Sequence, residues 1–399
     1  MKKPGPHSQS ASQAVLRGRP FLSLGFRPFY LACALAAVLL IGLWPWVFEG
    51  RLVPRTGLAP VLWHAHEMLF GMLAAAIVGF LLTAGRNWTG LPPPAGGQLA
   101  FLALLWLAGR LAAVLLPYSW FFVLDIMFLP WTAALFADLL WRARSQRNAG
   151  IAAVLGLLAC ANLGFHLAQR GVISVDPRRM LHAGLTLIVM METMIGGRVI
   201  PLFTGNATGA RIQLPPGLDA GVVTATALGL SLWLLGEPAA GLAAGLLILA
   251  ALLQAWRLWL WQPWAARRLP MLWVLHVAYA WIPLGLALLA WDTAAGTPAS
   301  PALHALTVGA SGGLVMAIMT RTARGHTGRP LVAGHSDVLA YSLVLLAAVL
   351  RVGTPLLLPA RFYAGGLVTA GLLWAAAFCV FLFTYSKWLM APRADGRND

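Results

Sequence analysis

Four histidines have the residue type and the spacing of metal ligands. Three of them, His66, His182 and His304, recur at similar intervals along the 399-residue chain, and His64 lies two positions before the first. Neutral imidazole binds haem iron, copper and zinc, and facing helices of a bundle often carry such ligands. We therefore predict that the four histidines converge on a metal site. The alternative is that each only forms a hydrogen bond between helices.

Two acidic and two basic residues accompany the histidines. Glu67 lies in the same apolar segment as His64 and His66, and Glu192 lies in that of His182. Ionisable groups inside a membrane are costly, so we expect these carboxyl groups to orient ligand imidazoles, hold a metal or relay protons. Arg110 and Arg351 each precede a Leu-Pro pair by a few residues. Each of these arginines either extends to the membrane surface or pairs with a haem propionate.

The segments that carry these residues are apolar and long enough to cross a membrane. The sequence is 60% hydrophobic and 10% charged, whereas about a quarter of the residues in an ordinary globular domain are charged. The apolar segments are about 20 residues long, which is the length of a helix that spans the hydrocarbon layer. Backbone groups in lipid must pair within their own segment. We therefore predict an all-α integral membrane protein with about twelve transmembrane helices.

The net charge of +16 does not indicate a nucleic-acid partner, because the Lys and Arg residues lie between the apolar segments. In that position they contact lipid headgroups and determine topology. Most of them fall on the side of the N-terminal tail, so we predict that both termini are cytoplasmic. The predicted organisation is a disordered tail at residues 1–20, one twelve-helix domain at 21–392 and a C-terminal tail at 393–399.

The helices that carry the spaced histidines have similar ends. The second, sixth and tenth predicted helices finish in Thr89-Gly90, Thr208-Gly209 and Thr327-Gly328. This similarity predicts three four-helix units around a pseudo-threefold axis, although an Ala-, Leu- and Gly-rich chain can also produce such matches by chance. The predicted units span residues 28–141, 150–261 and 270–389.

Five short blocks with distinctive residues are spread over nearly the whole chain. They are Gly25-Phe26-Arg27-Pro28-Phe29, Trp63-His64-Ala65-His66-Glu67-Met68, Asn87-Trp88-Thr89-Gly90, Gly197-Arg198-Val199-Ile200-Pro201 and Gly325-His326-Thr327-Gly328-Arg329-Pro330. These blocks resemble the NnrS family. The resemblance implies a bacterial inner-membrane protein of twelve helices that binds haem and copper and helps cells tolerate nitric oxide and nitrosative stress.

The repeat is also similar to the catalytic subunit of haem–copper oxidases and nitric oxide reductases. Carried over by helix position, His66 and His304 would be axial haem ligands and His182 would bind copper. The chain departs from that pattern because its His-x-His pair, His64 and His66, is on the second helix rather than the tenth. The seventh predicted helix also contains no histidine, so a three-histidine copper site is not supported. A shared fold would not transfer the activity.

Three functions follow from these residues. The first is a haem- and copper-binding protein that binds, senses or turns over nitric oxide or its iron-nitrosyl products, with an electron donor that the sequence does not identify. The second is a secondary transporter in which the buried His and Glu residues couple transport to protons. The third is an assembly or regulatory membrane protein without turnover.

Overall fold

A computed structural model describes residues 20–297 and 299–397 of the protein. Twelve helices in these ranges are long and apolar enough to cross a membrane, which confirms the predicted helix number and the all-α class. Apart from Pro20, the predicted tail at residues 1–20 lies outside the described ranges. The helices are α1 (Phe26–Phe48), α2 (Pro60–Thr89), α3 (Gly97–Leu115), α4 (Tyr118–Arg142), α5 (Gln146–Gln169), α6 (Pro177–Thr208), α7 (Leu218–Leu235), α8 (Glu237–Leu260), α9 (Pro270–Ala295), α10 (Ser300–His326), α11 (His335–Leu357) and α12 (Ala360–Met390).

Large apolar side chains on the outer faces of these helices account for contact with lipid. Leu104 of α3 and Leu372 of α12 are about two-thirds exposed, and Phe383 is 89% exposed. Such surfaces would be unfavourable in water but are well solvated by hydrocarbon chains. The protein is therefore a multi-pass membrane protein in contact with the lipid bilayer.

Proline and glycine determine where several helices begin and end. Proline is the first residue of α2, α6 and α9, a position where its missing N–H and fixed φ angle carry no penalty. At the start of α6, the Asp176 side chain also accepts a hydrogen bond of 2.8 Å from the Arg178 N–H. Glycines with positive φ angles follow α2, α6 and α9, at Gly90, Gly209 and Gly296, because the left-handed conformation that closes a helix favours glycine.

The three Thr-Gly turns identified in the sequence share one local structure. Thr89, Thr208 and Thr327 each donate a hydroxyl hydrogen bond of 2.6 or 2.7 Å to the carbonyl oxygen four residues earlier. The glycine after each threonine has a φ angle near +70°. The helix ends are therefore locally equivalent, and the threefold arrangement of four-helix units stays a prediction.

Helices α2 and α10 each contain a wider, π-helical segment directly after a candidate histidine. Glu67–Leu73 follows His66, and Ala305–Gly312 follows His304. A π-helical turn leaves carbonyl groups without their usual partners, and such turns are frequent at functional sites. The indole of Trp106 donates to the Gly71 carbonyl at 2.9 Å, and the Ser311 hydroxyl donates to the Leu306 carbonyl at 3.1 Å.

The described chain forms two compact units. The first contains residues 20–159, 319–331 and 381–397, and the second contains 160–297, 299–318 and 332–380. In the first unit α1 packs on α2 and α3 packs on α4, whereas in the second unit α8 packs on both α7 and α9. The single domain at 21–392 and the three repeat ranges stay predictions.

Replacing Gly309 with Ala should destabilise the second unit. A Cβ atom at Gly309 would lie 2.3 Å from the Trp281 ring, and overpacking of this kind typically costs about 1–3 kcal/mol. We expect a lower thermal unfolding temperature in detergent. Gly245→Ala is the matched control, because no atom lies within 4 Å of its added Cβ. If both variants melt at or above the melting temperature of the wild type, the close packing of Trp281 on α10 is contradicted.

Candidate functional site

A group of four buried ionisable side chains lies in the first unit. His66 and Glu67 come from α2, Arg110 from α3 and Asp125 from α4. The exposed fractions of His66, Glu67 and Asp125 are 0%, 1% and 3%, and the Arg110 side chain is 11% exposed. Burial of four ionisable groups inside a membrane protein is costly unless they pair with one another or with a ligand. We call these four residues the His66 group.

Both ring nitrogens of His66 face a carboxylate. The Nδ1 atom lies 3.0 Å from Glu67 Oε1, and the Nε2 atom lies 3.3 Å from Asp125 Oδ2. The rings of Phe70 and Phe121 pack against the imidazole, with centroids 5.2 Å away. The imidazole is therefore fixed in orientation by two polar and two aromatic contacts.

Arg110 connects the two carboxylates of the group. Its Nη1 atom donates to Glu67 Oε1 at 2.7 Å, and its Nη2 atom donates to Asp125 Oδ1. The close approach of Arg110 to α2 requires a glycine, because a Cβ atom at Gly71 would lie 2.7 Å from Nη1. Among the described residues, Glu67 Oε2 and Arg110 Nε are buried without a hydrogen-bond partner. The group therefore retains polar capacity for a ligand.

The donor spacing of the His66 group suits a metal ion. Ligand atoms of His66 and Asp125 lie within 4.8 Å of one another. Two ligands at about 2.1 Å from one metal and at a tetrahedral angle are about 3.4 Å apart, and His66 Nε2 and Asp125 Oδ2 are 3.3 Å apart. Glu67 on the opposite ring nitrogen has the position of a carboxylate that orients a metal-ligating histidine. This buried His and Asp pair could bind a metal ion.

The same geometry also suits a protonated imidazole without a metal. In that form His66 would donate an N–H to each carboxylate, and two positive and two negative charges would balance. A metal at Nε2 would take the place of one proton. Binding of a metal ion to the protonated form would therefore release one proton.

A second group in the other unit contains two predicted site residues. His304 Nδ1 lies 2.7 Å from the Ser300 carbonyl oxygen, and Arg351 Nη2 donates to the Ser300 hydroxyl at 3.2 Å. The Arg351 Nη1 atom and the Thr354 hydroxyl are buried, and neither has a hydrogen-bond partner within the described ranges. The structure thus connects His304 with Arg351 through Ser300.

His64 and His182 have a different environment, because each packs against the ring of a tryptophan. The His64 ring lies 4.3 Å from the Trp44 ring, and the His182 ring lies 4.7 Å from the Trp233 ring. His64 thus contacts α1 while His66 faces α4, as expected for positions on opposite sides of one helix. Their roles as metal ligands stay predictions.

Glu192 lies on α6 beside the π-helical segment of α10. The Ser311 hydroxyl is next to its carboxyl group, and Glu192 Oε2 is buried with no hydrogen-bond partner in the part of the chain that is described. A buried carboxyl group beside a hydroxyl can hold and pass a proton. Its role as a proton relay stays a prediction.

Sequence reasoning missed Asp125 and did not recognise Arg257 as buried. Asp125 is an acidic residue inside an apolar helix, and this feature alone could have marked it as a candidate. Arg257 lies near the end of an apolar segment, where a basic residue is expected to contact lipid headgroups, but its exposed fraction is only 1%. Its Nη2 atom donates to the Thr193 carbonyl and Gln254 Oε1, both at 3.1 Å, and to the Tyr279 hydroxyl. Arg257 therefore joins α6, α8 and α9.

Comparison with known proteins gives one result that covers nearly the whole chain. The sequence profile of the family described as NnrS protein matches residues 20–393, which confirms the resemblance found in the five sequence blocks. No match was found among curated proteins. The chain therefore belongs to the NnrS family, and this membership supports a membrane protein of the nitric oxide response.

Proposed function

We propose that the protein binds haem and copper in the bacterial inner membrane, with both termini in the cytoplasm. Through these cofactors it binds, senses or converts nitric oxide or iron-nitrosyl products, and so protects against nitrosative stress. The observation that carries this proposal is the His66 group, in which a buried imidazole and a buried carboxylate have the spacing of two metal ligands.

The His66 group is the proposed copper site. Copper(II) accepts nitrogen and oxygen ligands, and His66 Nε2 and Asp125 Oδ2 offer one of each at 3.3 Å. Glu67 would hold the imidazole by its other nitrogen. Arg110 would keep both carboxylates in place and reduce the negative charge that they contribute.

His304 is the proposed haem ligand. Its Nδ1 atom is held by a backbone carbonyl, and this contact orients the ring in many metal-ligating histidines, which bind the metal through Nε2. The buried Nη1 atom of Arg351, which has no hydrogen-bond partner among the described atoms, suits a carboxylate such as a haem propionate. Haem iron and copper would supply nitric oxide binding and electron transfer. Glu192 would hold a proton for a reaction that consumes one.

An optical spectrum with metal analysis of the detergent-purified protein tests the proposal. We expect about one haem and one copper per chain and a shift of the haem bands on addition of nitric oxide. His304→Ala should reduce the haem content by about tenfold or more, because a proposed haem ligand would be lost. His335→Ala, which changes an exposed histidine, is the matched control.

Two outcomes would contradict the proposal. A protein that stays colourless and metal-free after reconstitution with haem and copper would mean that the histidines have structural or proton-coupling roles, as in a transporter. Equal haem content in His304→Ala and His335→Ala would remove His304 as a ligand. In that second case, copper retained at the His66 group would leave the copper assignment intact.

A further inference from the structure

The turn after α10 brings two arginines onto one tryptophan. Gly328 has a φ angle of +73°, and the Arg329 N–H donates to the Arg324 carbonyl at 2.9 Å, which folds the chain back. The guanidinium carbons of Arg324 and Arg329 lie 5.2 and 4.3 Å from the Trp388 ring centroid. Tyr385 accepts a hydrogen bond of 3.1 Å from Arg324 Nε.

The guanidinium groups of Arg324 and Arg329 thus contact the same indole ring. No acidic residue of the described chain forms an ion pair with Arg329. The acidic residue beside Gly328 is Asp395, and Arg393 holds its carboxylate through two hydrogen bonds of 2.9 and 2.6 Å. These bonds lower the pKa of Asp395 to about 2. Partial burial and the charge of Arg324 both lower the pKa of Arg329.

Capping of α10 explains only part of this arrangement. Arg329 Nη1 donates to the Thr327 carbonyl at 3.2 Å, and Arg393 Nη1 donates to the His326 carbonyl at 2.9 Å. Arginines at a helix C-terminus are favourable because they satisfy its free carbonyl groups. Capping of the helix uses one nitrogen of Arg329, however. It does not require the guanidinium group of Arg324 to contact the Trp388 ring as well.

We propose that Arg324 and Arg329 bind a phosphate group beside Trp388. Guanidinium groups pair with phosphate oxygens through two parallel hydrogen bonds, and an anion would relieve the repulsion between the two charges. The ends of α10 and α12 carry these residues together with the aromatic side chains of Tyr385 and Trp388. Tyrosine and tryptophan are enriched at the membrane–water interface, which favours a phospholipid headgroup over free phosphate. This proposal does not depend on haem or copper.

Lipid retention by the purified full-length protein tests the proposal. The protein is delipidated in detergent and incubated with phosphatidylglycerol, with phosphatidylcholine or with inorganic phosphate. The number of bound molecules is then measured from the mass of the intact complex by native mass spectrometry. We expect preferential binding of phosphatidylglycerol, and about fivefold weaker binding for Arg329→Gln, the effect of one basic residue near an anionic surface. Arg142→Gln is the control, since it removes an exposed arginine of the same unit.

The outcomes distinguish the source of the phosphate. Binding of phosphatidylglycerol that weakens in Arg329→Gln but not in Arg142→Gln supports a lipid site. Binding of inorganic phosphate with the same variant pattern and no lipid preference supports the phosphate site with a soluble ligand. Equal binding of all three probes by the wild type and both variants would overturn the proposal. Arg329→Lys, which keeps the charge but loses the planar group, should bind at an intermediate level.

Discussion

Replacing Asp125 with Asn is expected to lower the affinity of the His66 group for its metal ion by more than about 100-fold. Loss of a residue that only orients a ligand typically costs 10- to 100-fold, and Asp125 is proposed to contact the metal itself. The neutral amide of asparagine keeps the shape of the side chain and can still accept from Arg110, but it is a weaker ligand than a carboxylate. Equilibrium dialysis with a competing chelator, followed by metal analysis, measures the affinity.

Two comparison variants make this result specific. Asp138→Asn changes an exposed carboxylate on the same helix, whose ion pair with Arg142 is 2.9 Å long, and should leave metal affinity unchanged. Glu67→Gln should reduce the affinity by only about 10- to 100-fold, because Glu67 is proposed to orient His66. The reverse order of the two effects would make Glu67 the metal ligand. Unchanged affinity in Asp125→Asn would leave Asp125 only as the ion-pair partner of Arg110.

The membrane fold could be predicted from the sequence because lipid restricts the backbone so strongly. All twelve predicted helices are present. Prolines and glycines inside the apolar segments do not mark the helix ends, as α6 and α10 show. Pro201 does not end α6, since neighbouring helices can compensate for a proline inside a membrane. Helix α10 continues through Gly325, and the left-handed glycine is Gly328.

The candidate site could be predicted only in part, because sequence spacing does not show which helices pack together. His66, Glu67 and Arg110 were selected as intramembrane ionisable residues, and the structure joins all three. Asp125 has no counterpart in the repeat pattern. Its position inside an apolar helix could have marked it as a candidate, but only the packing of α3 on α4 shows that it lies beside Arg110. The π-helical turn after His66 depends on contacts such as the Trp106 hydrogen bond to Gly71, which no local sequence signal indicates.

The buried network around Arg257 illustrates the same limit. From its position near the end of an apolar segment, Arg257 is expected to be one of the basic residues that flank a membrane helix. Gln254, three residues earlier on the same helix face, donates to the Thr193 and Thr226 hydroxyls at 3.0 and 3.1 Å. This polar face of α8 can be buried because it has hydrogen-bond partners on α6, α7 and α9. The sequence of α8 alone does not identify those partners.

Replacing Arg110 with Met should produce the largest loss of stability, about 3–5 kcal/mol in the free energy of unfolding. Breaking a buried ion pair by removing one partner leaves uncompensated charge in a medium of low dielectric constant. Here Glu67 and Asp125 would both lose the guanidinium group that connects them. Thermal unfolding of the metal-free protein in detergent, followed by circular dichroism, should show a clearly lower midpoint than the wild type.

Arg142→Met is the matched control for this effect, because its ion pair with Asp138 is exposed and such pairs contribute about 0–1 kcal/mol. The triple variant Arg110→Met, Glu67→Gln, Asp125→Asn should regain much of the lost stability, since no buried charge is left unpaired by the missing arginine. If Arg110→Met unfolds at the same temperature as Arg142→Met, the two carboxyl groups do not carry unbalanced charge in the metal-free protein. Arg110 would then act only by positioning Glu67 and Asp125 around His66.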